Sequence, residues 1–189
     1  GINYDFDRGM ENYKLAAERG LAEAQLNLAQ MYHYGPSSIQ DHFEAYTWYK
    51  KSAKQGMHEA DFNLGLMAHY GRGTNKDYVQ AMNHYMKASL NSIPEADLNI
   101  AFLHHYGLGT SVNFDKSFEY FTKAAKNNYP QAQYHLGLLY KNGQSVKKDL
   151  DKANYWFEKA AIQNLDEAKL MTAALELREP NDVELYVAN

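Results

Sequence analysis

Apolar residues recur along the chain with a helical spacing, and the spacing itself repeats. In "ADLNIAFLHHYGLG", residues 96–109, Ala96, Ile100 and Leu103 fall on one face of a helix, and Gly107 ends the run. Near copies start at Ala24 ("AQLNLAQMYHYG"), Ala60 ("ADFNLGLMAHYG") and Ala132 ("AQYHLGLLYKNG"), each 36 residues from the next, and Ala168 opens a fifth copy that soon degenerates. This segment, helix A, carries a small residue beside its apolar stripe at Ala29, Gly65, Ala101 and Gly137, which lets a neighbouring helix approach closely. Gly35, Gly71, Gly107 and Gly143 are expected to stop it as left-handed caps.

A polar turn follows each copy, and then a second segment in the same register. Asp41, Asp77, Asn113 and Asp149 stand where a short oxygen-bearing side chain accepts from the free N–H groups of a helix start. The second segment, helix B, sets aromatic pairs such as Trp48-Tyr49 and Trp156-Phe157 one turn before small pairs such as Ser52-Ala53 and Ala160-Ala161. Pro94 and Pro130 share one register position at the start of the next helix A, where a missing N–H does no harm. Each unit is therefore predicted to be a helical hairpin.

A lone hairpin cannot bury both of its apolar faces, so hairpins must stack on their neighbours. The expected fold is all-α, a right-handed α/α superhelix, or solenoid, of 36-residue hairpins in a single domain. Its parts are a partial repeat over 1–23, full repeats over 24–59, 60–95, 96–131 and 132–167, and a C-terminal half-repeat or cap over 168–189. Gly1 and Asp5 match the loop-glycine and cap positions and Tyr13 matches Tyr49, so residues 1–20 read as a helix B without its helix A, as in a fragment or processed form of a longer protein. At the other end Pro180 halts the last helix, and the residues after it read as a tail.

The pattern A-x-x-x-L-[GA]-x-x-x-x-x-G, a G-x-[GS] type turn, an acidic cap and [FWY]-x-x-[AS]-[AS] resembles the Sel1-like repeat family, a relative of the tetratricopeptide repeats. The resemblance covers nearly the whole chain, with departures at Ala68 and His104, where the family has tyrosine, and at Pro36-Ser37 in the first turn. It implies an adaptor that holds a partner protein or peptide on a concave face of the A helices.

Independently, positions 23, 26, 27, 30, 33 and 34 of helix A form a stripe apart from the core centred on 24, 28 and 31. Down the repeats this stripe holds Asn27, Asn63, Asn99 and His135, with Phe62 and Leu98, Leu66 and Phe102, and Tyr70 and Tyr106 around them. An amide both donates and accepts, so an asparagine ladder can pair with a peptide main chain while the flanking rings and aliphatics bury its side chains. These ten residues are the candidate partner-binding site. The same asparagines could instead satisfy backbone groups, and the apolar positions could pack against adjacent helices.

Composition narrows the chemistry. A net charge of -4 over 189 residues gives no general attraction for nucleic acid or anionic membrane. No apolar run approaches the roughly 20 residues of a membrane span, so membrane insertion is not expected. The start, "GINYDFDRGM", is not that of a signal peptide; compartment and oligomeric state are left open. With no cysteine there is no thiolate metal site, and His33, His69 and His105 lie on successive repeats, about 8–10 Å apart by helix packing, too far to share one metal. They read as exposed aromatics or groove contacts. No nucleophile, zinc or phosphate-loop motif is present, and Glu23, Glu59, Glu95 and Glu167 suit helix N-termini, so no enzyme and no cofactor are expected. The expected role is an interaction scaffold; the alternative is an inhibitor or immunity-type protein that blocks an effector enzyme, and a small-molecule hydrolase ranks last.

Overall fold

A helix answers each apolar run. The computed structural model describes residues 2–177, with side chains over 9–175 and at 177. The chain divides into two compact units, residues 1–112 and 113–189. The first holds α1 (Ile2–Glu18), α2 (Ala22–Tyr34), α3 (His42–Lys54), α4 (His58–Tyr70), α5 (Tyr78–Leu90) and α6 (Pro94–Tyr106). The second holds α7 (Phe114–Lys126), α8 (Pro130–Asn142), α9 (Leu150–Ile162) and α10 (Asp166–Glu176). Within each unit consecutive helices pack on one another. Even-numbered helices are the predicted A segments and odd-numbered ones the B segments; the tail after Pro180 lies outside the described residues.

The caps form where the sequence places them. Asp41 Oδ1 accepts from the N–H groups of Phe43 and Glu44, and Asp77, Asn113 and Asp149 each accept from the N–H three residues on. The start of α1 differs: the helix begins at Ile2, so position 5 lies inside it instead of preceding it as a cap. Gly71, Gly107 and Gly143 are left-handed, with φ of 69°, 67° and 68°. Gly35 corrects the expectation, with φ -68° and ψ 177°: Pro36 follows it, and the ring of a proline drives the preceding residue into extended backbone.

The core is built on one repeated contact between the helices of a hairpin. A Cβ on Gly65 of α4 would lie 2.6 Å from the ring of Tyr85 of α5, and one on Gly137 of α8 would lie 2.6 Å from the ring of Phe157 of α9. Each ring thus packs directly against the helix at its small residue. Tyr49, Tyr85, Phe121 and Phe157 are fully buried, as are Leu28, Leu64, Ile100, Leu103, Leu136 and Leu139 of the A helices. Burial raises the pKa of the Tyr49 and Tyr85 phenols well above the ordinary value.

Polar side chains pin the helices at fixed points. The buried Gln25 donates to Ala17 O and accepts from Gln55 Nε2 at 2.7 Å; Gln133 donates to Ala125 O and accepts from Gln163 at 2.8 Å. In the middle repeats the same position is a buried aspartate. Asp61 faces His84 Nδ1 at 2.9 Å, and Asp97 accepts from Ser89 Oγ at 2.6 Å.

His33 corrects a second expectation. It is a core ring, stacked on Tyr34 at 4.1 Å and edge-on to His42 and Tyr49, and neither nitrogen has a hydrogen-bond partner among the described residues. Position 33 lies seven residues after Leu26, on the same helical face, and that face is turned to helix B. Burial, with smaller contributions from His42 and Arg72, lowers its pKa to about 4.

Two outcomes follow. Gly65→Leu drives a branched side chain into the Tyr85 ring and lowers stability by about 2 kcal/mol or more, measured by urea denaturation; an unchanged midpoint contradicts the packing. Because the folded state holds His33 neutral, its contribution to stability is complete above the unfolded pKa of about 6.5 and is lost as pH falls toward 4. The urea midpoint should therefore drop between pH 7.5 and 4.5 by more in the parent than in His33→Phe. Some slope remains in the variant because burial lowers His69 and His105 too. Equal drops in both proteins rule out His33 as a source.

Candidate functional site

The outward face of the A helices is narrower than the six-position stripe. Positions 26 and 33 turn toward helix B: Leu26 is buried, Phe62 lies 5.9 Å from the Tyr85 ring, and His69 meets Tyr78 edge-on at 5.1 Å. Tyr134 repeats the contact in the second unit, 5.6 Å from Phe157. Positions 23, 27, 30 and 34 remain outermost, a single line along one side of a helix.

In the first unit this line has tyrosine at one end and glutamate at the other. Tyr34, Tyr70 and Tyr106 close α2, α4 and α6 and are 60%, 57% and 55% exposed. Arg72 lies over the Tyr70 ring at 5.4 Å, and Tyr106 stacks parallel to Phe102 at 6.1 Å. Glu23, Glu59 and Glu95 occupy the opposite ends, in the first turns. Between them Leu66 and Phe102, at position 30, are half-buried, as is Leu98 at position 26 beside the line.

The asparagines differ from one another. Asn63 is 7% exposed; its amide donates to Glu59 O at 2.9 Å, and its oxygen accepts from Tyr34 at 3.0 Å, which ties α2 to α4. Asn99 donates to Glu95 O at 2.9 Å and is half-buried, as is Asn27. An amide has two N–H groups and two acceptor sites, so Asn63 keeps half of its capacity and Asn99 three-quarters. In the second unit His135 lies flat on the Phe121 ring at 5.1 Å. The Asp61–His84 pair escaped sequence reading because the histidine has no copy at 36 and the aspartate recurs only at Asp97: position 25 is glutamine in the other two repeats, and position 48 is Trp or Tyr in the others.

Among the described residues, no cluster of three or more His, Asp or Glu could hold a metal ion. Nor is any helix among them long and apolar enough to cross a membrane.

The Sel1 repeat model matches residues 1–21, 22–57, 58–92, 94–129 and 130–165. The chain is similar to the crystal structure of a protective antigen of uropathogenic Escherichia coli that displays an SLR fold, at 34% identity and a TM-score of 0.80 over 84% of this chain and 34% of that one. A Sel1 repeat protein from Oxalobacter formigenes is 32% identical, with a TM-score of 0.79 over 91% of this chain and 50% of that one. An immunity protein from Pseudomonas aeruginosa is 26% identical, with a TM-score of 0.54 over 87% of this chain and 60% of that one. The chain thus spans a third to a half of the length of the first two. No curated protein matches it. Sel1 repeat proteins are generally non-enzymatic scaffolds for protein interaction. With five matched repeats and all-helical hairpins of 36-residue period, the chain belongs to the Sel1 repeat family.

Proposed function

We propose that this chain is a binding module, not an enzyme, and that the outward face of its A helices holds a segment of a partner protein. The observation that carries this reading is the tyrosine row. Tyr34, Tyr70 and Tyr106 are large rings at a 36-residue interval, each more than half exposed on a packed helix. A tyrosine offers a rigid apolar surface and a hydroxyl while immobilising few torsions, which is why it is enriched where binding energy concentrates.

Around the row, Leu66 and Phe102 supply further apolar contact, and Phe62 and Leu98 form the floor beneath. Asn99 and Asn27 have amide capacity for the main chain of the partner segment, and Asn63 has less because Tyr34 and Glu59 occupy half of it. His135 stands at the same register position in the second unit and offers a ring edge there. Net charge -4 with glutamates at the helix starts favours a neutral or basic segment over nucleic acid.

A second reading is an inhibitor that uses the same face to plug an effector enzyme. The likeness to a Pseudomonas aeruginosa immunity protein, at 26% identity, supports it. The two differ in the partner: loss of an enzyme's activity on binding marks the second.

The test uses the partner that the full chain captures from its source cell, with affinity and melting temperature measured on the same variants. Tyr70→Ala with Tyr106→Ala should weaken binding by about tenfold or more and leave the melting temperature near the parent's. Asn63→Ala should instead lower stability by about 1 kcal/mol, since it removes the Tyr34 bond and a bond to the helix backbone. Lys51 lies over the Trp48 ring of α3, on another face, so Lys51→Ala with Lys87→Ala should leave affinity unchanged. If the lysine pair weakens binding and the tyrosine pair does not, the face is wrong.

A further inference from the structure

Arg72 brings a charge to a register position that has none elsewhere. The residues that match it in the other repeats are Pro36, Leu108 and Gln144. Its backbone is fixed by the helix stop: Gly71 ends α4 in the left-handed region at φ 69°, and the Arg72 N–H donates to Met67 O at 2.9 Å. From there the exposed side chain turns back over the face of the Tyr70 ring, 5.4 Å from its centroid. It also acts on Tyr34: burial raises the pKa of that phenol, and the charge of Arg72 opposes the rise. Among the described residues no carboxylate pairs with Arg72. The tyrosine row thus carries one uncompensated guanidinium, beside its first two rings.

Resting on the reading of this face as the binding face, we propose that Arg72 receives an aspartate or glutamate side chain of the partner segment, and that a large apolar residue three positions from that carboxylate packs on Tyr106 and Phe102. A guanidinium stacked on a ring keeps its N–H donors, which point outward in its plane and match a carboxylate in pairs. The spacing follows from the helices. α2 and α4 are joined through Tyr34 and Asn63, and neighbouring packed helices lie about 8–10 Å apart. Extended chain advances about 3.3 Å per residue, so three residues cover one such step, from the interval between Tyr34 and Tyr70 to the one between Tyr70 and Tyr106. At the second interval Leu108 replaces the arginine, and the Tyr106 and Phe102 rings lie parallel at 6.1 Å, a surface for an apolar side chain. Glu23, Glu59 and Glu95 stand at the far ends of the same helices, about 16 Å away along each. A segment that is neutral or basic as a whole can therefore carry its one acidic residue at Arg72.

The probes are blocked glycine–serine peptides with one aspartate and one tryptophan three residues apart, made in both orders and titrated into the full chain by NMR of the tyrosine rings and the arginine Nε–H. At least one order should bind and shift Arg72, Tyr70 and Tyr106. Replacing its aspartate by asparagine, or moving the tryptophan next to the aspartate, should weaken binding about threefold or more. Arg72→Gln should bind the aspartate and asparagine peptides alike, and Arg72→Glu should prefer the peptide with lysine in place of aspartate, a reversal that a damaged fold would not produce. Equal binding of the aspartate and asparagine peptides by the parent chain overturns the proposal, as does no binding at millimolar concentration. The captured partner separates that failure from a failure of the face. If Tyr70→Ala with Tyr106→Ala weakens its binding, the face stands and the Arg72 assignment alone falls; if the tyrosine pair leaves it unchanged, the face is wrong and the proposal falls with it.

Discussion

An aromatic ring of helix B packed against a small residue of helix A is the contact on which the rest of each repeat depends. Tyr85 on Gly65 and Phe157 on Gly137 are its clearest instances, each too close for a Cβ. Glycine inside a helix is unfavourable by about 1 kcal/mol against alanine, so its place there needs compensation, and burial of a whole aromatic ring supplies more than that. The ring also fixes the rotation of helix A about its own axis. Nothing else in a 13-residue helix does so as firmly, because the aliphatic core positions would tolerate a modest turn.

From that rotation the candidate binding face follows. With the small residue against helix B, positions 26 and 33 flank it inward, and positions 27, 30 and 34 are left outside. The terminal tyrosines of α2, α4 and α6 come to stand at one place on successive A helices of the first unit, and Tyr34 reaches across to Asn63. Function in this reading needs no special chemistry in any single repeat. It needs copies of an outward residue held in the same orientation, which a ring on a small residue provides.

The sequence was most legible where a residue acts on its own backbone. Aspartate and asparagine caps, proline at a first turn and left-handed glycine stops each answer a local need, and a 36-residue recurrence makes them stand out. Gly35 departs from the left-handed stop for an equally local reason, the proline after it, which favours extended backbone at the residue before it. Side-chain positions were legible only to about one step of 100° around the helix. That resolution separates core from surface but cannot tell which flank of the stripe helix B covers, so His33 and Leu26 were read as outward although both are core. Contacts whose residues change from repeat to repeat were not legible at all. Position 25 is glutamine in the first and fourth full repeats, bonded to Gln55 and Gln163, and aspartate in the two between, facing His84 or Ser89, so the period that revealed the fold hid the way its polar positions are satisfied.

The central claim is that ring and small residue act as one unit, and a double-mutant cycle on stability tests it most directly. Gly65→Leu and Tyr85→Ala are made singly and together, and unfolding is followed in urea. If the ring occupies the space the leucine needs, the two losses compensate: the double variant is more stable than Gly65→Leu alone, with a coupling of about 1–3 kcal/mol. Additive losses, with the double variant the least stable of the set, would show that Gly65 and Tyr85 contribute independently and would contradict the account.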